Sequence, residues 1–368
     1  MHQNNLVPLQ QAGRPRLAGM TSWAAQAARW IGAAGLIAAA ALTTACGGGG
    51  GSSGSSGTAT NTSNVSNPTG GTNTVSPAPV IAAARALPAS PAWVAYYGSA
   101  SAIDIAQVAA TFKLIVIDAD PGNGTPAFSA AQIAALKANG AKVLSYLNFG
   151  ACEKARTYWN TVPPGFVSCG ANTAAQLGKY SGFQEYWMNP ANVDYQNLIV
   201  NYIAPRLAAT GVDGFMLDNF EIVGHGANAS AGPCDAVCAQ GGLDLVKQLR
   251  DQFPNLAFVP NAAPVQAIGG ATGGVSFPWL IDGVLSEQVY LPAVSASGVQ
   301  QLQAWQSAEQ NLGRRNFFVG TLDYASSCTA SSAAQSAWTS AQQAAFSPLI
   351  ATASLSSICW WPFLPSGS

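Results

Sequence analysis

The chain has 368 residues, 49% of them hydrophobic and only 8% charged, with 15 basic against 16 acidic side chains. No basic run is present to neutralise phosphates, which argues against a nucleic-acid partner. Ser, Thr, Asn, Gln and Ala must cover most of the surface, a skew that suits an exported protein.

Arg14, Arg16 and Arg29 precede an uncharged apolar stretch from Trp30 to Ala45, closing on Leu42-Thr43-Thr44-Ala45-Cys46. A positive segment, a short apolar run and small residues before a cut predict an export signal over residues 1–45. The run is shorter than the roughly 20 residues a bilayer span needs. Cys46 followed by Gly47 to Gly51 resembles a bacterial lipoprotein signal, which implies lipidation of Cys46 and an outer-membrane anchor as the only membrane contact. Thr43 departs from the Leu usual in such signals, and plain secretion is the alternative. The Gly, Ser, Thr and Asn that follow predict a flexible linker over residues 46–87. Residues 88–368 then form one folded domain. Without the three leader arginines the balance is 12 basic against 16 acidic, a mildly acidic surface that suits a cationic partner.

Short apolar or β-branched runs recur through the domain, at Trp93 to Tyr97, Leu114 to Asp118, Lys142 to Asn148, Gly214 to Asp218, Ala257 to Asn261, Gly283 to Glu287, Asn316 to Leu322 and Ser357 to Trp361. Segments with helical spacing lie between them, among them Ser129 to Asn139, Tyr195 to Thr210, Gly242 to Phe253, Val299 to Leu312 and Ala334 to Phe346. Strands alternating with helices predict an α/β fold with a parallel sheet, and eight such units in roughly 280 residues predict a (β/α)8 TIM barrel. A doubly wound open sheet is the alternative, but no G-x-G-x-x-G follows the first strand, and the Gly-rich run at Gly269 to Gly274 has no Lys to hold a phosphate. No cofactor is implied.

Beyond Cys46 the cysteines are Cys152, Cys169, Cys234, Cys238, Cys328 and Cys359, an even number that reads as disulfides in an exported chain. Sequence neighbours suggest the pairs 152–169, 234–238 and 328–359. The competing reading is a metal site, which would have to be almost wholly thiolate because His225 is the only histidine outside the leader. No metal is expected, and no Ser-His-Asp arrangement stands out.

The polar residues fall at strand ends: Asp118, Asn148, Asp218, Asn261 and Glu287. In a barrel those ends converge on one cleft, where carboxylates can supply an acid and a nucleophile or base, and amides can bind sugar hydroxyls. Asp118 has a plainer reading as a turn cap beside Asp120, and Asp213 as the residue that fixes the loop entering its strand. Tyr96, Tyr146, Trp159 and Tyr290 are candidate stacking surfaces for sugar rings.

Together, Trp93 to Tyr97, Ile115-Val116-Ile117-Asp118, Ser145 to Gly150 leading to Glu153, Arg156, Tyr158 and Trp159, and Gly211 to Asn219 resemble glycoside hydrolase family 114. The resemblance implies an endo-α-1,4-polygalactosaminidase-like barrel enzyme that cuts galactosamine-containing exopolysaccharide, with essential carboxylates at Asp218 and Glu287. It also places Glu153, Arg156 and Asn219 among the substrate-binding residues. Two departures stand out: Ala151-Cys152 replaces an acidic position of the family, and Glu221 stands where Asp is common. Asp218 is expected to act as nucleophile and to stay ionised, with Glu287 as acid, then base, its pKa raised by burial. Asp118 is expected to bind a hydroxyl or a protonated amino group. The alternatives are a non-catalytic carbohydrate-binding surface lipoprotein and a glycosidase for another glycan.

Overall fold

The computed structural model describes residues 83–88, 90–120, 127–180, 182–314 and 316–365. The export signal, Cys46 and most of the linker lie outside these residues.

In chain order the strands are β1 (Trp93–Tyr96), β2 (Leu114–Ile117), β3 (Lys142–Asn148), β4 (Ala151–Glu153), β5 (Gln176–Lys179), β6 (Glu185–Met188), β7 (Gly214–Asp218), β8 (Ala257–Pro260), β9 (Ala271–Thr272), β10 (Val275–Ser276), β11 (Gly283–Glu287), β12 (Phe318–Tyr324) and β13 (Ser347–Ala351). The α-helices are α1 (Ile105–Thr111), α2 (Ala130–Leu136), α3 (Val193–Leu198), α4 (Ala204–Ala208), α5 (Ala236–Gln252), α6 (Ala296–Asn311) and α7 (Ser332–Gln343). Their starts are set locally. Asp104, Ser129, Asn192, Asp235, Ser295 and Ser331 each turn a side-chain oxygen onto a free first-turn N–H. A π-turn over Ile199–Ile203 joins α3 to α4, where Pro205 lacks the N–H that would continue an α ladder.

Eight strands run parallel. β1-β2-β3-β7-β8 form one sheet and β11-β12-β13 another. A parallel bridge between Asn261 and Leu285 joins β8 to β11. Between the outer strands, the Trp93 indole donates to the Ser347 carbonyl at 2.9 Å, and Tyr97 N–H donates to Leu355 at 2.7 Å. Alternate residues of all eight strands pack into a single inner cluster, including Trp93, Val116, Leu144, Met216, Val259, Leu285, Leu322 and Leu349. The opposite faces pack against the helices. This is the period of two expected of strands covered on both sides.

Three features depart from the expectation. The last strand is Ser347–Ala351, not Ser357 to Trp361. Pro348 lies within this strand opposite Thr321, and β13 pairs in its ladder only with β12, an edge position where proline is tolerated. Residues 357–361 are instead irregular, pinned by Cys359 in its disulfide and by the Trp361 indole on the Ile350 carbonyl. A small antiparallel sheet, β4-β6-β5, is inserted after β3. Finally, the chain joins the fold before residue 88. Leu87 is buried in the inner cluster, and buried Arg85 lies 3.5 Å from Asp282, just ahead of β11.

The cysteines pair as expected: Cys152–Cys169, Cys234–Cys238 and Cys328–Cys359. Asp213 accepts from Val143 N–H and pairs with Lys137 at 2.9 Å, so it ties β7 to its neighbour at the end where the strands begin.

Candidate active site

Asp218 is the last residue of β7, Glu287 the last of β11, and Asn261 directly follows β8. Because these strands are parallel neighbours, their ends bring residues far apart in sequence to one place. Asn261 Nδ2 donates to Asp218 Oδ1 and to Glu287 Oε1, each at 2.8 Å. The two oxygens are therefore separated by no more than twice that distance. A second donor, the Tyr324 hydroxyl at the end of β12, meets Glu287 Oε2 at 2.6 Å.

Burial first, and then the charge of Asp218, pushes the Glu287 carboxyl up to about 7. The Glu287 side chain nonetheless keeps exposure to solvent. Asp218 is also raised by burial, but three donors favour its charged form: Asn261, the Asn219 backbone N–H and the Tyr146 hydroxyl. The pair is thus graded, with more hydrogen-bond donors on Asp218 than on Glu287.

Asn219 adopts a left-handed backbone at φ 58°, which turns the chain sharply after Asp218. Its side chain donates to Asn148 Oδ1 at 2.8 Å, and Asn148 donates in turn to Glu185 Oε2 at 2.7 Å. Asn148 also accepts from Ala151 N–H, so its polar atoms are committed to holding loops together. Gly150 is required here, since any side chain would collide with the Asn219 carbonyl.

Asp118, at the rim, pairs with buried Arg156 at 2.9 Å. Arg156 also pairs with Glu153 at 2.9 Å and Asp120 at 3.4 Å, and its guanidinium lies 5.4 Å from the centre of the Tyr146 ring. Arg206 reaches Asp120 from α4 at 2.8 Å. These contacts make Glu153 and Arg156 a brace beneath the cleft, and Asp118 its exposed edge.

Two expected residues point elsewhere. Tyr96 is fully buried against Phe128, with its hydroxyl on the Ser99 carbonyl. Its neighbour Tyr97 takes the cleft position, packing edge-on to Tyr146 and feeling the charges of Asp218, Glu287 and Asp118. A strand alternates faces, so a shift of one residue changes sides. Tyr290 is also buried, and Asp323 holds its backbone N–H at 2.6 Å. Trp159 lies on the inserted sheet's flank against Tyr186, with Lys154 5.8 Å from its ring centre.

The structure adds Tyr97, Tyr324, Tyr180, Glu185 and Glu221. Glu185, buried on β6, is pushed up to about 8 by burial and by Glu153 and Asp218. Glu221, in the turn after β7, is pushed up to about 8 by burial and by Asp218. Among the described residues, none of Asp218, Glu287, Glu185 and Glu221 forms an ion pair. Neither a metal-ligand cluster nor a helix long and apolar enough to cross a membrane occurs among the described residues.

Residues 76–240 match the model of glycoside-hydrolase family GH114. The matched segment includes Asp218 and the Arg156 brace, and stops before Asn261, Glu287 and Tyr324. The fold is similar to the glycoside hydrolase domain of PelA from Pseudomonas aeruginosa, with a TM-score of 0.53 over 73% of this chain and 97% of that one at 14% identity. A variant of that PelA domain gives a TM-score of 0.52 over the same shares at 15% identity. No curated protein matches this chain in sequence. The match over residues 76–240 is thus to a family of glycoside hydrolases, and the fold is similar to that of a glycoside hydrolase domain.

Proposed function

We propose that the chain is an exported endo-acting hydrolase of α-1,4-linked, galactosamine-containing polysaccharide, with Asp218 as nucleophile and Glu287 as general acid, then base. The observation that carries this reading is the single Asn261 nitrogen shared by both carboxylates. It keeps one oxygen of each acid close to the other, which supports the short carboxyl separation of retention, about 5 to 5.5 Å, over the roughly 6.5 to 9.5 Å that leaves room for a water in inversion. In the first step Asp218 attacks the anomeric carbon while Glu287 protonates the leaving oxygen. In the second, Glu287 takes a proton from water as that water displaces Asp218.

A cationic amino sugar fits the electrostatics. Burial first, and then the neighbouring acids, pushes Glu185 and Glu221 up to about 8, and an ammonium among them would favour their charged forms. The eight parallel strands with one shared inner cluster support a closed (β/α)8 barrel. Lipidation at Cys46, with attachment to an outer membrane, remains part of the proposal on the sequence signal alone.

The test is cleavage of partially deacetylated α-1,4-galactosaminan, read as new reducing ends, with the anomer of the first product followed by NMR. Asp218→Asn and Glu287→Gln are each expected to abolish product while staying folded. Binding without new reducing ends in the unaltered protein would instead favour a carbohydrate-binding role, and an inverted product would refute the nucleophile.

A further inference from the structure

We propose that Tyr324 is a positioning residue that, opposite Asn261, confines the transferable proton of Glu287 to Oε2. The inference deepens the acid/base reading of Glu287 and rests on it.

The argument begins with what each neighbour can do. Asn261 Nδ2 carries two hydrogens and accepts nothing, and it spends one on Asp218 Oδ1 and one on Glu287 Oε1. Turning the amide over would aim its carbonyl at two carboxyl oxygens, so its orientation is fixed by its partners. Its own Oδ1 is buried without a partner, a cost of about 1–3 kcal/mol that the arrangement bears. A proton on Glu287 Oε1 would face a donor, so Oε1 stays bare in both states of the acid.

Oε2 has a different neighbour. The Tyr324 hydroxyl, 2.6 Å away, can donate or accept by rotating about its C–O bond. It donates when Glu287 is ionised and can accept when Glu287 carries its proton. The phenol thus suits both halves of a double displacement. In the first, the Oε2–H bond breaks as its proton passes to the glycosidic oxygen, whose bond to the anomeric carbon breaks while Asp218 bonds to that carbon. In the second, a water O–H bond breaks, its proton returns to Oε2, and the water oxygen displaces Asp218.

The ring is well placed for this role. Tyr324 ends β12, next to β11, and its ring packs on the inner cluster, so the hydroxyl is held by a rigid strand. The other groups facing this pair are Asp218 from β7, Tyr97 after β1, Tyr180 from the inserted sheet's loop and Glu221 after β7.

The experiment is a carboxyl 13C NMR titration of the full chain labelled at glutamate Cδ, with the Glu287 resonance assigned by its loss in Glu287→Gln. Tyr324→Phe, which removes one oxygen and keeps the packed ring, is expected to raise the Glu287 midpoint by about one pH unit, because a donor to the charged form has gone. The basic limb of kcat on galactosaminan is expected to move up with it, with KM little changed. A Glu287 midpoint equal to that of the unaltered protein overturns the role of Tyr324. Full activity of Glu287→Gln overturns the acid/base reading itself, whichever way the titration falls.

Discussion

Arg156 and Asp118 form the only ion pair, among the described residues, that reaches from the buried brace to the rim of the cleft, at 2.9 Å. The same guanidinium serves Glu153 and Asp120, so its loss leaves several carboxylates with reduced compensation. Arg156→Met is therefore expected to destabilise the domain by about 3 kcal/mol, in the range for breaking a buried pair from one side. Urea unfolding measures it. Asp118→Asn should cost far less stability, and unchanged unfolding in Arg156→Met would show that water supports these acids.

The pH dependence of cleavage follows from the acid. Glu287 is pushed up to about 7, so its protonated form dominates below that pH and is lost above it. Under the proposed mechanism kcat/KM is expected to fall on the alkaline side from about pH 7. Since the charge of Asp218 contributes to the rise, Asp218→Asn should bring the Glu287 titration down toward the ordinary glutamate range. The NMR titration checks this, and an unmoved midpoint would show that burial alone sets it.

Stability should depend on pH in the opposite sense from that of a salt-bridged carboxylate. Glu185 titrates near 8 in the fold and near the ordinary glutamate value when unfolded, so its neutral form costs nothing in acid. As pH rises from that lower value through about 8, the unfolded chain releases the proton first and stability is lost. Glu185→Gln, which keeps a carbonyl to accept from Asn148, is expected to raise the melting temperature at pH 8.5 and change little at pH 4. Each kcal/mol regained corresponds to roughly 2–4 °C. Calorimetry at the two pH values decides it.

The inserted sheet is tied down covalently by Cys152–Cys169 across a sequence separation of 17. Replacing both cysteines by Ala is expected to cost about 2–4 kcal/mol. Glu185 lies on β6, paired in register with β4, so activity on polymer should fall as well. Thermal unfolding together with reducing-end release tests both parts.

Most of the parallel framework is legible in the sequence because its strands are apolar runs ending in single polar residues. Asp218, Asn261 and Glu287 stand out for that reason. The last strand is hidden by Pro348, whose meaning depends on which side of the strand is paired. Tyr97 is masked by the one-residue ambiguity of the run's end. Glu185 sits in Glu-Tyr-Trp-Met, a run too short to announce a buried acid, and its role arises only when the inserted sheet lays it against Asn148. The inserted sheet itself gives no alternating pattern, since β5 is largely exposed and carries an irregular register. Tyr324 directly follows Asp323 at the end of β12. Yet Asp323 turns inward to hold the backbone of Tyr290 and Leu291, while the phenol faces the cleft.

Arg85 and Leu87 fasten the start of the domain where the strands begin, beside Asp282 and away from the ends that carry Asp218 and Glu287. The anchorage at Arg85 and Leu87 thus sits at the opposite end of the strands from the carboxylate pair, so that substitutions there should weaken the domain without touching the groups that face the cleft.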